Sequence, residues 1–258
     1  MSEAGERAAV PVLFLHGIGS SRSTFALQFA HVGRNRWCVA PDAPGYGDSD
    51  DNPAIVATDD YGAAIVDLLD QLEVRAADLV GVSWGGVIAA RLAATHPERV
   101  ARLVLADSTR GSAVDPARAA AMRARPGALA SDGAAAFSQA RSHRLLSPAA
   151  PSELVAAVAA DMAAAIRLPG YAQAANAMAR TDNTELFAMI GCPTLVIVGE
   201  HDVVCPPAEA AILTEHIHGA SLVTIPDAGH LSNRENPIAF NRALDTFWAD
   251  HPLAGGVG

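Results

Sequence analysis

Runs of consecutive aliphatic and β-branched residues recur along the chain, without the apolar–polar alternation of a half-exposed strand. Val10-Pro11-Val12-Leu13-Phe14-Leu15 is the first, Arg36-Trp37-Cys38-Val39-Ala40 the second, Leu79 to Val82 the third and Leu103 to Ala106 the fourth. Thr194 to Val198 and Ser221 to Ile225 follow. Short continuous runs predict strands covered on both faces, as in a parallel sheet. Between them, apolar positions return at helical spacing from Thr24 to Val32, Asp59 to Leu72, Trp84 to Thr95, Ala208 to Ile217 and Asn236 to Trp248. This strand–helix alternation predicts an α/β fold with a mostly parallel sheet flanked by helices.

The rhythm breaks from about Gly111 to Leu186. That stretch is rich in alanine, is punctuated by Pro126, Pro148, Pro151 and Pro169, and contains no convincing strand. It predicts several helices inserted between two strands, at the carboxyl edge of the sheet, where α/β folds bind ligands. Residues 1–110 and 187–252 are therefore expected to form the core, 111–186 a helical cap, and the Gly-rich end 253–258 a disordered tail.

Composition narrows the function classes. The 258 residues are enough for one large domain with a full core. A formal net charge of −10 without a basic cluster argues against nucleic acid or an anionic membrane as partner. A small anionic substrate held by a local arginine stays compatible with that balance. No apolar run is long enough to span a bilayer, and Met1 to Ala9 is polar, without the apolar core of a secretory signal. Cys38, Cys192 and Cys205 are odd in number and lack metal-ligand spacing, so a reduced, cytoplasmic setting is expected, with no metal or cofactor. A homo-oligomer is compatible with the sequence.

The candidate chemistry starts at Gly81-Val82-Ser83-Trp84-Gly85-Gly86, between the third strand and the helix that follows it. A sharp strand-to-helix turn holds its middle residue in a strained conformation, and the flanking glycines remove Cβ atoms that would block it. The hydroxyl of Ser83 is then presented at the tip of the sheet. A serine hydroxyl needs a neutral histidine to take its proton and a carboxylate to orient that histidine. Gly199-Glu200-His201-Asp202 follows one strand and Asp227-Ala228-Gly229-His230 the next, which places Asp202 and His230 on loops at the same sheet edge. His16-Gly17-Ile18-Gly19 follows the first strand. The amides of Ile18 and Trp84 are candidate donors to an oxyanion, with Gly19 a weaker alternative.

The strings LFLHGIG, APDAPGYGDSD, LVGVSWGGVIAARLAATHPERVARLVLAD, PTLVIVGEHDVVCPP and IPDAGHLSNRENP stand in this order from about Val10 to Trp248. Together they resemble the α/β-hydrolase superfamily. GHLSNRENP and the segment GYAQAANAMARTD are most similar to its 3-oxoadipate enol-lactonase-like branch. The resemblance implies Ser83 as nucleophile, Asp202 as acid and His230 as base, in a serine hydrolase acting on a small carboxylic ester or lactone through an acyl-enzyme. Only Met1–Ala9 precedes the first strand, so the antiparallel strands that lead such folds are expected to be shortened or absent. Enol-lactonases often carry methionine where Trp84 stands, and a pocket wall formed by the Trp84 ring is expected instead.

Rival readings attach to several of these residues. Asp107 follows the fourth strand, a position that some branches use for the acid; otherwise it is a surface or loop-capping aspartate. His201 neighbours Asp202 but is expected to point away, and His16 is expected to support the oxyanion loop. Asp42 to Ser49 reads as a turn-rich loop. Gly19, Arg141, Arg144 and Tyr171, with His143, are candidate substrate contacts, the last four in the cap, where a substrate carboxylate could meet them. The same triad also serves carbon–carbon hydrolases of ring-fission products and perhydrolases, although Leu231 follows His230 where an aromatic residue is usual in the former. A non-catalytic ligand-binding protein on the same fold is the reading from a different class.

Overall fold

The computed structural model describes residues 1–253. A seven-stranded sheet carries the molecule: β1 (Ser2–Ala4), β2 (Val12–Leu15), β3 (Cys38–Ala40), β4 (Ala77–Val82), β5 (Val100–Ala106), β6 (Thr194–Gly199) and β7 (Ser221–Ile225). Their order across the sheet is β1-β3-β2-β4-β5-β6-β7, with every pair parallel except β1–β3. The antiparallel lead is thus shortened to the three residues of β1, which pair with Cys38–Ala40. The five central strands are almost wholly buried, which explains why each reads as an unbroken apolar run.

Alternate residues of each strand feed opposite faces. On one face Leu13, Leu15, Leu79, Leu103 and Leu105 meet α2 (Thr58–Gln71) and α3 (Trp84–Thr95) through Tyr61, Leu69, Val87 and Leu92. On the other, Val12, Phe14, Val80, Val82 and Val104 share a core with Phe240, Leu244 and Trp248 of α9 (Pro237–Asp250) and with Val32 of α1 (Ala26–Val32). α7 (Pro207–His216) and the four-residue α8 (Ser232–Glu235) complete this part of the chain. At the amino edge of the sheet, Arg102 pairs with Asp78, both almost fully buried, and its Nη1 donates to the carbonyl of His251 at 2.7 Å. This contact fastens the end of α9 beneath the strands.

Between β5 and β6 the chain forms α4 (Pro116–Ser142), α5 (Ser152–Ala165) and α6 (Gly170–Met178). Pro126, read in the sequence as punctuation, lies inside α4; the break falls instead at Gly133, with φ 76° and ψ 161°. Pro116 opens the helix, where a proline costs little, and Pro126 lies in its interior without ending it, whereas the positive φ at Gly133 ends the helical path outright. The tail expected at 253–258 lies outside the described residues beyond Leu253. Among the described residues no helix is long and apolar enough to cross a membrane.

Candidate active site

Ser83 stands between β4 and α3 with φ 55° and ψ −118°, the strained turn its flanking glycines predict. A Cβ on Gly81 would lie 2.5 Å from backbone atoms of Gly85 and Gly86, and one on Gly85 would lie 2.1 Å from the Leu15 carbonyl oxygen. No side chain can replace either hydrogen without moving backbone. The turn is tied from outside: the Ser83 amide donates to the Ala106 carbonyl at 2.8 Å, and the Ser108 hydroxyl donates to the Ser83 carbonyl at 2.9 Å.

Three side chains from three loops meet here. His230 Nε2 lies 2.9 Å from Ser83 Oγ, and His230 Nδ1 lies 2.8 Å from Asp202 Oδ2. The other Asp202 oxygen accepts from the amides of Val204 at 2.7 Å and Cys205 at 2.8 Å, which holds the carboxylate toward the imidazole. Asp202 and His230 are both buried. Burial is the largest single influence and disfavours the imidazolium, but the adjacent Asp202 carboxylate and the neighbouring Cys205 sulfur together hold His230 well above the ordinary value of 6.5. Such an array can draw the hydroxyl proton to Nε2 as oxygen attacks a carbonyl.

The loop after β2 runs beside the serine. A Cβ on Gly17 would lie 3.2 Å from Ser83 Cβ. His16 Nε2 accepts from the Ala43 amide at 2.9 Å, so its proton sits on Nδ1, which donates to the Gly17 carbonyl at 2.9 Å. Burial lowers the His16 pKa and keeps this tautomer neutral. His16 therefore braces the loop from behind. The amides of Ile18 and Trp84 find no acceptor among the described residues.

Asp107 is fully buried, so the surface alternative fails for it and the loop-capping one holds. It accepts from the Gly199 amide at 2.9 Å, and from the amide and hydroxyl of Ser232 at 3.1 and 2.7 Å. It joins the ends of β5 and β6 to the loop that carries His230. Burial, with the nearby Asp202 charge, pushes its carboxyl up to about 7. His201 is exposed and His143 lies at the surface.

A cavity of 310 Å³ opens over Ser83 and His230. Ile18, Gly19, Arg141 and Arg144 line it, as do Arg118, Arg125 and Arg234, which sequence reasoning missed. Met122 of α4, Met162 of α5 and Met178 of α6 supply apolar wall. Two sequence expectations are corrected. Tyr171 is buried against Tyr46 and Phe137, with ring centroids 6.4 and 5.4 Å away, and does not reach the cavity. The Trp84 ring turns away from Ser83, sits edge-on to Tyr61 at 4.7 Å, and lines a separate cavity of 220 Å³. Asp202, Cys205 and His230 place their ligand atoms within 4.8 Å of one another, as do the exposed Glu200, His201 and Asp227. In the first set the carboxylate and imidazole are already bonded to each other, and burial keeps the Cys205 thiol protonated.

The family described as alpha/beta hydrolase fold matches residues 10–237. A 3-oxoadipate enol-lactonase of Acinetobacter baylyi is 29% identical, over 93% of this chain and 89% of its own. A pimeloyl-[acyl-carrier protein] methyl ester esterase of Neisseria meningitidis is 28% identical, over 93% and 95%. The crystal structure of an enol-lactonase from Burkholderia xenovorans superimposes with a TM-score of 0.85 at 25% identity, covering 96% of this chain and 95% of that one.

Proposed function

The chain belongs to the α/β-hydrolase family, and from that premise we propose that it is a serine hydrolase cleaving a small carboxylic ester or lactone through an acyl-enzyme. The observation that carries this reading is the unbroken chain Ser83 Oγ–His230–Asp202, at 2.9 and 2.8 Å, opening on a 310 Å³ cavity. The names of the relatives, an enol-lactonase and a methyl ester esterase, agree with it.

Ser83 Oγ attacks the carbonyl carbon while His230 Nε2 takes the hydroxyl proton. Asp202 keeps the imidazole oriented and balances the imidazolium. The carbonyl oxygen gains negative charge and is met by the Ile18 and Trp84 amides, the latter at the start of α3, where the helix dipole favours an anion. His230 returns its proton to the leaving alkoxide, and the C–O bond breaks. A lactone differs only in that the alkoxide stays attached. Water, losing a proton to His230, then attacks the acyl-enzyme and releases the acid and Ser83. The helices α4, α5 and α6 act as a cap that shapes the cavity, and a cytoplasmic location fits the reduced cysteines.

Ser83→Ala is expected to cut turnover of a 4-nitrophenyl butyrate substrate by on the order of 10⁴-fold or more. A fluorophosphonate probe is expected to label the native protein at Ser83 alone. Undiminished hydrolysis by the variant, or labelling elsewhere, refutes the assignment.

A further inference from the structure

Glu235 closes the four-residue α8, a short turn after His230, and is half-buried. Among the described residues no cationic side chain comes within ion-pair distance of it. Its carboxylate instead accepts backbone amides from two segments far apart in the chain. Oε1 and Oε2 accept from the Ser147 amide, between α4 and α5, at 2.9 and 3.0 Å. Oε2 also accepts from the Gly229 amide, next to His230. Ser147 and Gly229 are both buried, so an amide that lost this acceptor would be stranded in the interior. The same two segments meet elsewhere too. The Leu231 amide donates to the Leu145 carbonyl at 3.1 Å, and a Cβ on Gly229 would lie 2.5 Å from the Leu146 carbonyl carbon. Arg234, beside Glu235, pairs with Asp161 of α5 at 2.7 Å. The loop of His230 is therefore fastened to the inserted helices on one side, while Asp107 holds it from the sheet side.

We propose that Glu235 is a positioning residue: it clamps the loop carrying His230 to the segment between α4 and α5, so that the place of the imidazole depends on how the inserted helices are seated. The proposal rests on His230 as the base of the hydrolase reading. A carboxylate suits the task better than a neutral side chain, because its two oxygens offer about four acceptor sites and a charged acceptor makes the stronger bond. Both donors are main-chain groups, so Glu235 fixes backbone, not a side chain that could rotate away. Displacing a catalytic group by ~1 Å costs about 100-fold in rate, so a clamp one residue from His230 acts directly on turnover. Met122 of α4 and Met162 of α5 line the cavity over Ser83, which joins the wall that meets the substrate to the base that serves it.

The test compares hydrolysis of 4-nitrophenyl butyrate by the native protein, Glu235→Ala and Glu235→Gln, with rates taken per folded molecule from circular dichroism. Glu235→Ala leaves both amides without an acceptor. It is expected to lower kcat about 30-fold while KM changes less than about 3-fold, since the cavity wall keeps its residues. Glu235→Gln keeps one acceptor oxygen and is expected to lower kcat only about 5-fold; it carries the test if the alanine variant fails to fold. Asp161→Asn removes the neighbouring tie. Combined with Glu235→Gln, it is expected to lower kcat about 3-fold beyond the product of the single effects. Hydrogen exchange at the Ser147 and Gly229 amides is expected to quicken about 10-fold or more in either Glu235 variant. A native kcat per folded molecule, a change confined to KM, or unaltered exchange at both amides overturns the clamp. Fluorophosphonate labelling of native Ser83 with a native kcat in the folded variants means that the clamp is wrong and the hydrolase reading right. Quickened exchange in the variants, with native Ser83 unlabelled, means the reverse: the two segments are tied, but not in a serine hydrolase.

Discussion

His230 is pulled in two directions, and the outcome sets where the enzyme works. Asp202 holds its pKa well above 6.5 against burial. Only a neutral imidazole can accept a proton from Ser83, so kcat/KM is expected to rise with pH along a limb centred above 6.5. The stability contributed by His230 has the opposite sign. It is fully present below the unfolded pKa of 6.5 and is lost as pH rises through the higher folded value. A pH–rate profile beside a pH series of melting temperatures checks both, and a rate limb centred below 6.5 contradicts the geometry. Asp107 is the other decisive residue. Asp107→Ala strands the buried Gly199 amide and the Ser232 donors, and is expected to cost about 3 kcal/mol in urea unfolding. It is also expected to lower kcat, because the His230 loop loses its tie to β5, whereas a mere surface aspartate would change neither.

At the scale of elements, the strand–turn–helix of β4 and α3 carries the tightest steric demand. Gly85→Ala drives a methyl into the Leu15 carbonyl, and is expected to destabilise by roughly 1–3 kcal/mol and to abolish fluorophosphonate labelling. Denaturation curves with labelling read out both, and full labelling of a stable variant would show that the turn tolerates relaxation. This element was fully legible in the sequence: α3 begins at Trp84 and ends at Thr95, as its spacing predicts. The buried strands were legible too, because burial on both faces leaves no polar position to interrupt them. β1 was not, since Ser2-Glu3-Ala4 is too short and polar to signal a strand and is ordered by pairing with β3. The side-chain directions of the inserted helices were least legible. Alanine covers several faces of α4 and α5 alike, so nothing in the sequence separates Arg125, which faces the cavity, from Arg123, which does not. Tyr171 and the Trp84 ring were misplaced because a large aromatic near Ser83 reads equally well as core or as wall.

Across the whole molecule, charge is distributed against itself: a chain of net charge −10 encloses a cavity edged by five arginines. An anion is repelled at a distance and attracted only on arrival, and salt weakens both effects, with a screening length of about 10 Å at 0.1 M. The arginine-lined cavity has one further consequence, for leaving rather than arriving. Hydrolysis of an ester would convert a neutral link into a carboxylate, so the acid product would carry one more negative charge than the substrate and lie among these guanidinium groups. Egress is then expected to be the slow event of each cycle. Progress curves are expected to bend early at low ionic strength and to straighten as sodium chloride is added, with the product acid competing against fresh ester at concentrations below KM. Initial-rate assays with added product would measure this directly, and curves indifferent to both salt and product would show that the cavity releases what it makes without delay.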